Sequence, residues 1–304
     1  MNFKQLFGFE LLKEPVIINN IPRYIENNAY ASAFGYQWKM YPKTQLDSYT
    51  GYPISKNRLT RIVGGSLDIF KDRTVLEAGC GAGSFTEILL RAGAKVCAVD
   101  ISSAVEVNYN NFLQYPNYYI MQADIINLPI PENSFDFVLC VGVIQHTPDP
   151  EETIKRLSAY VKPNGILFID HYSMEYPYTP IRKIFRNFLL KVNNDTALLF
   201  IQKFTYMFWW IHKLFYKYKH ISWISNLRYK FIYRSPIVDF QDAYSFLGDK
   251  ILYDWVILAT FDTLTDYYKH LRTPEEIKHY LENSGMKNIQ ITLAGNGIEA
   301  SATK

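Results

Sequence analysis

Cysteine is scarce: there are three, Cys80, Cys97 and Cys140, in 304 residues. An odd number without metal-like spacing argues against a disulfide framework and a structural zinc site, and all three fall in or beside apolar strand-like runs, where a thiol behaves as a small hydrophobe. A reducing, cytoplasmic setting is expected. No run of 18 apolar residues free of charge occurs, so no membrane-spanning helix is expected. The opening MNFKQLFGFELLKEP lacks the long apolar core and small-residue cleavage site of a signal peptide. No internal repeat is evident, which argues against a solenoid. Acid is missing from one region: between Tyr176 and Arg234 there are eleven Lys/Arg and a single acid, Asp195. What is present, 48% apolar and 20% charged residues, is the composition of a globular chain with a packed core.

The clearest order lies between Arg73 and His171. Thr74 to Leu76, Lys95 to Asp100, Tyr118 to Gln122, Phe135 to Val143 and Ile166 to Asp170 read as strands. Helices from about Ser84 to Arg91, Ser103 to Gln114 and Pro150 to Val161 alternate with them. Alternation at this spacing means βαβ units and a parallel sheet, and uninterrupted apolar strands mean helices on both faces. Near the end, Thr273-Pro274-Glu275-Glu276 opens a helix with a cap, a first-position proline and acids in the first turn. Asn288 to Leu293 and Ile298 to Thr303 then form a hairpin through Gly295-Asn296-Gly297. The expectation is a Rossmann-like, doubly wound α/β sheet of seven strands, mostly parallel with an antiparallel C-terminal hairpin. The divisions are an N-terminal cap over 1–66, a core over 67–175, a helical insertion after the fifth strand over 176–245, and a completion of the core over 246–304.

That insertion interleaves basic and aromatic residues (KFTYMFWWIHKLFYKYKH) and holds about a third of the aromatics, leaving the remainder of the chain net acidic. Four readings stay open. It could be a cap whose Arg and Lys meet an anionic group of a small molecule. It could rest on an anionic membrane with Trp209, Trp210 and Trp223 at the interface, or follow a nucleic-acid strand, a use disfavoured by the absence of any RNA-binding motif. Finally, it could be a helical subdomain with aromatics inside and lysines solvated.

Ligands in open α/β sheets bind beyond the carboxyl ends of the strands, which is where Gly79-Cys80-Gly81-Ala82-Gly83 lies. The third glycine comes one residue early for the dinucleotide pattern G-x-G-x-x-G, and the G-K-[ST] of a phosphate loop is absent. Glu77 precedes the turn, and a carboxylate repels pyrophosphate but attracts a cation. Asp100 ends the second strand, 21 residues after Gly79, where it can accept both hydroxyls of a ribose. Asp124, after the third, can accept from the amine of a base. Each acid alone could equally be a turn or helix cap; jointly they describe a nucleoside that is positive near the turn.

In this order, VLEAGCGAGSF, KVCAVDIS, QADIINLPIPENSFDFVLCVGVIQHTPDP and YVKPNGILFI resemble the successive motifs of class I S-adenosylmethionine-dependent methyltransferases, most closely the small-molecule branch with quinone-biosynthesis and natural-product enzymes. The likeness covers roughly Leu67 to Tyr172, and the final hairpin by topology. It implies S-adenosylmethionine as cofactor. Glu77, Cys80 and the backbone of Gly79, Gly81 and Gly83 would border its methionine and sulfonium, Asp100 its ribose, Ile101, Asp124 and Ile125 its adenine, and Cys140 to Gly142, with Val141 at the centre, the floor. Phe34 to Ser48 is similar to a leader that caps the cofactor in methyltransferases of glycan and natural-product pathways, which places Trp38, Tyr41 and Gln45 at the methionine end; an amphipathic helix packed on the sheet is the alternative.

If the acceptor is a hydroxyl, a base must take its proton, and histidine suits neutral pH. His146, in IQHTPDP after the fourth strand, is the first candidate; the resembled family often has Glu-His or His-His here, whereas this chain has Gln145-His146. His171 and His270 are further candidates, and for each an ordinary hydrogen-bonded histidine is the plain alternative. Asp262 and Tyr267 fall in a segment that shapes the acceptor pocket in the resembled group. No metal site is expected. The implied acceptor is a small-molecule, sugar-type or lipid-linked compound, anionic in one reading of the insertion, and the chain is placed in the cytoplasm, with a peripheral membrane contact through 176–234 in another of those readings. The rival function is a module that binds the cofactor without chemistry, as a partner subunit.

Overall fold

The computed structural model describes residues 3–25 and 29–304. Among them one sheet carries nine strands: β1 (Val16–Ile18), β2 (Ile21–Arg23), β3 (Thr74–Ala78), β4 (Lys95–Asp100), β5 (Tyr118–Gln122), β6 (Phe135–Cys140), β7 (Val161–Tyr172), β8 (Lys287–Ala294) and β9 (Gly297–Thr303). The spatial order is β1-β2-β5-β4-β3-β6-β7-β9-β8. β2 to β7 run parallel in that order, and β9 and β8 close the edge as an antiparallel hairpin. The seven expected strands are there, but the sheet has nine, because an N-terminal hairpin extends its other edge. This hairpin turns at Asn19 and Asn20, both left-handed with φ of 55° and 63°, as a tight two-residue turn requires. It joins β5 through a single register pair, Arg23 with Gln122, whose side chains also bond. Three exposed residues in β1 and a proline in β2 give no alternation to read.

Every residue of β3 is buried, and the two faces of the sheet fill separate cores. Leu76, Cys97, Met121 and Val138 pack with residues of α7 (Pro150–Tyr160) and α13 (Pro274–Asn283) on one side. Val75, Val96, Ile120 and Leu139 meet α4 (Ile54–Ile62) and α5 (Ser84–Arg91) on the other. α7 starts on Asp149, which accepts from the Glu151 and Glu152 amides, and α13 on a Thr273–Glu276 capping box. α1 (Phe3–Phe7), α2 (Ser32–Met40), α3 (Asp47–Thr50) and α6 (Ala104–Phe112) complete the surround.

After β7 the chain leaves the sheet for α8 (Pro180–Leu189), α9 (Asn194–Lys217), α10 (Ser222–Arg234), α11 (Gln241–Tyr244) and α12 (Gly248–Thr265). α12 packs on α8 and α9 through Ile257, Phe261 and Leu264 against Leu189, Leu198 and Ile201. His212 Nδ1 lies 2.7 Å from Asp239 Oδ2 and its Nε2 lies 3.1 Å from Ser235 Oγ. The trio has the spacing of a nucleophile relay, but the His212 and Asp239 side chains and Ser235 are buried and none of the three lines the cavity described below. It braces α9 against the turn that follows α10. Among the described residues no helix is long and apolar enough to cross a membrane.

The chain winds from β3 outward to β5, then returns to the other side of β3 for β6 and β7. The strand order therefore reverses between β3 and β6, the position at which such sheets open a crevice.

Candidate functional site

A cavity of about 760 Å³ opens at that reversal. Its sheet-side wall is the loop after β3 (Gly79, Cys80, Gly81), the end of β4 (Asp100, Ile101), the loop after β5 (Asp124, Ile125) and the loop after β6 (Val141, Gly142, Val143, His146). Trp38 and Gln45 reach it from the N-terminal segment. The structure thus gathers Trp38, Gln45, Gly79, Cys80, Gly81, Asp100, Ile101, Asp124, Ile125, Val141 and His146 on one cavity.

The turn is tightly fitted. Gly81 has φ of 51°, and a Cβ there would stand 2.9 Å from Trp38 Nε1. Gly79, at φ of 82°, would put a Cβ 2.2 Å from Val143 Cγ2. Only glycine gives both the left-handed backbone and the close approach. Asp100 Oδ2 accepts the Gly81 amide at 2.9 Å, while Oδ1 accepts the Ser102 amide and hydroxyl at 2.8 and 2.7 Å. A carboxylate that lines the cavity is in this way clamped to the glycine turn. Asp124 caps the short helical turn after it by accepting from the Ile126 amide; it serves as both cap and cavity wall. The pyrophosphate of a dinucleotide would meet carboxylates here, whereas a ribose and a cationic sulfonium suit this set of acceptors.

Glu77, Gly83, His171 and His270 do not line the cavity. Gly83 instead caps α5 with φ of 102°. Glu77 is buried behind the turn and takes the Thr86 hydroxyl at 2.6 Å. Burial pushes its pKa up from the ordinary carboxylate range to about 8. Between pH 5 and 8 the folded chain then keeps a proton that the unfolded chain releases, so stability falls as pH rises through that window. Glu77→Gln is expected to flatten this dependence: the urea midpoint difference between pH 5 and pH 8 should shrink in the variant. An unchanged difference would show that Glu77 is ionised in the fold.

His171 sits on β7 between Asp170 and Tyr172, and strand alternation sends it away from the cavity that Tyr172 lines. It is buried, its Nδ1 lies 2.9 Å from the Tyr172 carbonyl, and burial lowers its pKa to about 4. His270 donates its backbone amide to the Gln145 carbonyl and stacks on Tyr268. Gln145 itself is fully buried and off the cavity, so it shares no proton with His146 there. Tyr267 is exposed.

His146 differs. Its Nδ1 is 3.1 Å from the Tyr268 carbonyl and 3.2 Å from Asp266 Oδ2, which leaves Nε2 for the cavity. Phe34 and Tyr172 flank the ring at 5.1 and 5.3 Å between centroids. Asp266 also meets Arg186 Nε at 2.8 Å and Lys269 Nζ at 2.7 Å. Burial pushes its pKa up, but the His146 ring and the two cations outweigh this and hold it below the ordinary carboxylate range. Asp262 lines the same cavity with one weak partner, Gln37 Nε2 at 3.4 Å, and burial pushes its pKa up.

The sequence did not announce the far wall. Arg58 and Arg61, three apart and so on one face of α4, line it and pair with Asp170 and Glu299 at 2.5 and 2.7 Å. Arg182, Phe240, Tyr244 and Trp255 arrive from the insertion and α12. Among the described residues no group of three or more His, Cys, Asp or Glu is arranged to hold a metal ion.

Residues 76–169 match the family model for a methyltransferase domain. A ubiquinone biosynthesis O-methyltransferase of Coxiella burnetii is 35% identical over 133 residues, covering 42% of this chain and 57% of that protein. Another of the same name from Colwellia psychrerythraea is 29% identical over 163 residues, 52% of this chain and 62% of that one. The alignments thus span less than two thirds of these curated relatives. A solved structure of a putative S-adenosylmethionine-dependent methyltransferase from Methanococcus maripaludis aligns over 92% of this chain and 97% of its own, at 16% identity and a TM-score of 0.48. Over residues 76–169 the chain accordingly matches a methyltransferase domain.

Proposed function

We propose that the chain transfers a methyl group from S-adenosylmethionine to a hydroxyl of a small, largely apolar acceptor, with His146 as general base and no metal ion. The observation that carries this is His146 itself: one ring nitrogen is held by Asp266 and the Tyr268 carbonyl, and the other is left for the cavity that Gly79, Gly81 and Asp100 also line. The cofactor would bring an electrophilic methyl on a positive sulfur. Asp100 would hold the ribose, Asp124 and Ile125 the adenine edge, and Trp38 would close over the turn. His146 Nε2 would take the acceptor's proton, forming an imidazolium that Asp266 stabilises. Aromatic and aliphatic side chains at the far wall would hold the acceptor in line and dry. The O-methyltransferase names of the relatives support a hydroxyl acceptor.

The test is transfer of labelled methyl from S-adenosylmethionine to a panel of phenols, catechols and lipid-linked phenols, with and without chelator. Labelled product that survives chelator is expected. Loss with chelator and recovery with Mg²⁺ would overturn the metal-free step. Cofactor binding without turnover on any acceptor would favour the non-catalytic module.

The outer face of the insertion supports a lipid contact. Along α9, Leu199, Lys203, Tyr206, Trp210, Leu214 and Lys217 fall at helical spacing on the exposed side. Tyr206 is 80% exposed, Trp210 61% and Trp223, on α10, 64%. Aromatics mixed with lysines suit an anionic bilayer surface. Vesicles containing phosphatidylglycerol should pellet the protein, and the double variant Trp210→Ser/Trp223→Ser should pellet about tenfold less. Equal pelleting by neutral vesicles, or by the variant, would refute the contact.

A further inference from the structure

Three cavity-lining arginines differ in how their charge is met. Arg58 and Arg61 each face a buried carboxylate, Asp170 and Glu299. Arg182 faces none: among the described residues no carboxylate lies within ion-pair distance of it. It is 4% exposed, and its Nη1 and Nη2 donate to the Pro177 and Ile237 carbonyls at 2.9 and 3.0 Å. Two backbone carbonyls leave three of its five N–H groups over, and its Nε–H is buried without an acceptor. Asp239 is the carboxylate whose field reaches it, but that group is already taken by His212, Arg228 and the Gln241 amide. Tyr176, which also lines the cavity, turns its hydroxyl toward Thr263 Oγ1 at 3.3 Å.

A buried guanidinium without a counter-ion is costly, since its lost hydration is not repaid by an opposite charge. Burial accordingly pulls the Arg182 pKa down, although a guanidinium stays charged at any ordinary pH. Holding two carbonyls together does not need a charge, since an amide side chain would do it. The cavity that Arg182 lines also carries the apolar Val238, Phe240, Trp255 and Leu258. A positive group set in such a wall recognises a molecule with an apolar body and one oxyanion.

We infer that Arg182 is the specificity residue of the acceptor subsite, and that the acceptor carries a carboxylate or phosphate which completes the Arg182 guanidinium. This rests on the reading of the cavity as a methyltransferase site, and it narrows the acceptor from any small molecule to an anionic one.

The experiment is calorimetry on the full chain saturated with S-adenosylhomocysteine, titrated with phenylacetate, phenyl phosphate and the neutral phenylacetamide. At least one anion should bind about tenfold or more tighter than the amide, as a charge-assisted pair gives, and the tighter of the two tells carboxylate from phosphate. In Arg182→Gln the preference should fall to within about twofold, and Arg182→Lys should keep part of it, lacking the bidentate fork. Equal binding of amide and anions, no measurable binding of either anion, or a preference that survives Arg182→Gln would overturn the assignment. Should Arg182→Gln lose S-adenosylhomocysteine through misfolding, the wild-type ratio and Arg182→Lys decide instead. Failure of the wild-type chain to bind S-adenosylhomocysteine would strike the methyltransferase reading; binding it without anion preference would strike only Arg182.

Discussion

Asp100→Ala is expected to weaken S-adenosylhomocysteine binding by roughly 30- to 150-fold, about 2–3 kcal/mol, the worth of hydrogen bonds to a charged group. Two losses combine. The carboxylate lines the cavity, where the lone pair left on Oδ2 can accept from a ribose hydroxyl. It also fixes the turn, because Oδ2 takes the Gly81 amide while Oδ1 takes both donors of Ser102. Asp100→Asn should cost nearly as much: whichever way the amide lies, its NH₂ opposes a backbone donor. Ser102→Ala is the control, since it removes one of three donors and leaves the charge; it should cost less than about tenfold. Calorimetry on the three variants separates the cases. Unchanged affinity in Asp100→Ala would place the nucleoside elsewhere.

The glycine turn and Asp100 could be read from the chain because topology fixes them. In a parallel sheet every strand ends at the same edge, so an acid closing an apolar strand is delivered to the crevice whatever the side chains around it do. Glu77 was not legible in this way. It lies two residues inside the turn, where pairing with β4 and β6 and contact with Thr86 bury it, and burial depends on neighbours that adjacency in sequence does not reveal. The nine-stranded sheet was missed at the N-terminal edge for a related reason: β1 and β2 are three residues each, too short for periodicity, and only their two asparagines at positive φ mark the turn.

The histidines show the limit for the chemistry. His146, His171 and His270 were equivalent as residue types in loops or strand ends, yet tertiary partners separate them. Asp266, which holds His146, is 120 positions away and arrives only because α12 returns across the cavity, bringing Asp262 with it. Arg58, Arg61 and Arg182 likewise converge from α4 and α8, segments with no shared motif. The basic, aromatic insertion keeps part of its aromatics inside, with ring contacts among Phe204, Phe208 and Phe231, and leaves Trp210 and Trp223 exposed, a division that composition does not reveal.

His146→Ala is expected to lower kcat by about 10²- to 10⁴-fold, the usual worth of a positioned general base, while S-adenosylhomocysteine affinity stays within about threefold, because the proposed cofactor contacts are on Asp100 and the glycine turn. Asp266 acts through His146 and is a positioning residue. It holds the ring from Nδ1 and offers a full negative charge to the imidazolium formed on proton transfer. Asp266→Asn keeps the shape but removes that charge, so the acid limb of the kcat/KM profile should move to lower pH and kcat should fall. A purely structural role would lower activity without moving the limb. The same substitution strands Arg186 and Lys269, both nearly buried against the carboxylate, and breaking such a network costs about 3–5 kcal/mol. Because the Asp266 pKa is held below its unfolded value, this stabilisation is fully present above the ordinary carboxylate range and fades as pH falls through the lowered value. Thermal melts of the wild type and Asp266→Asn should therefore differ most at neutral pH and converge on acidification. A His146→Ala enzyme with undiminished kcat would remove the histidine from the chemistry and turn attention to Asp262, a buried acid that lines the same cavity.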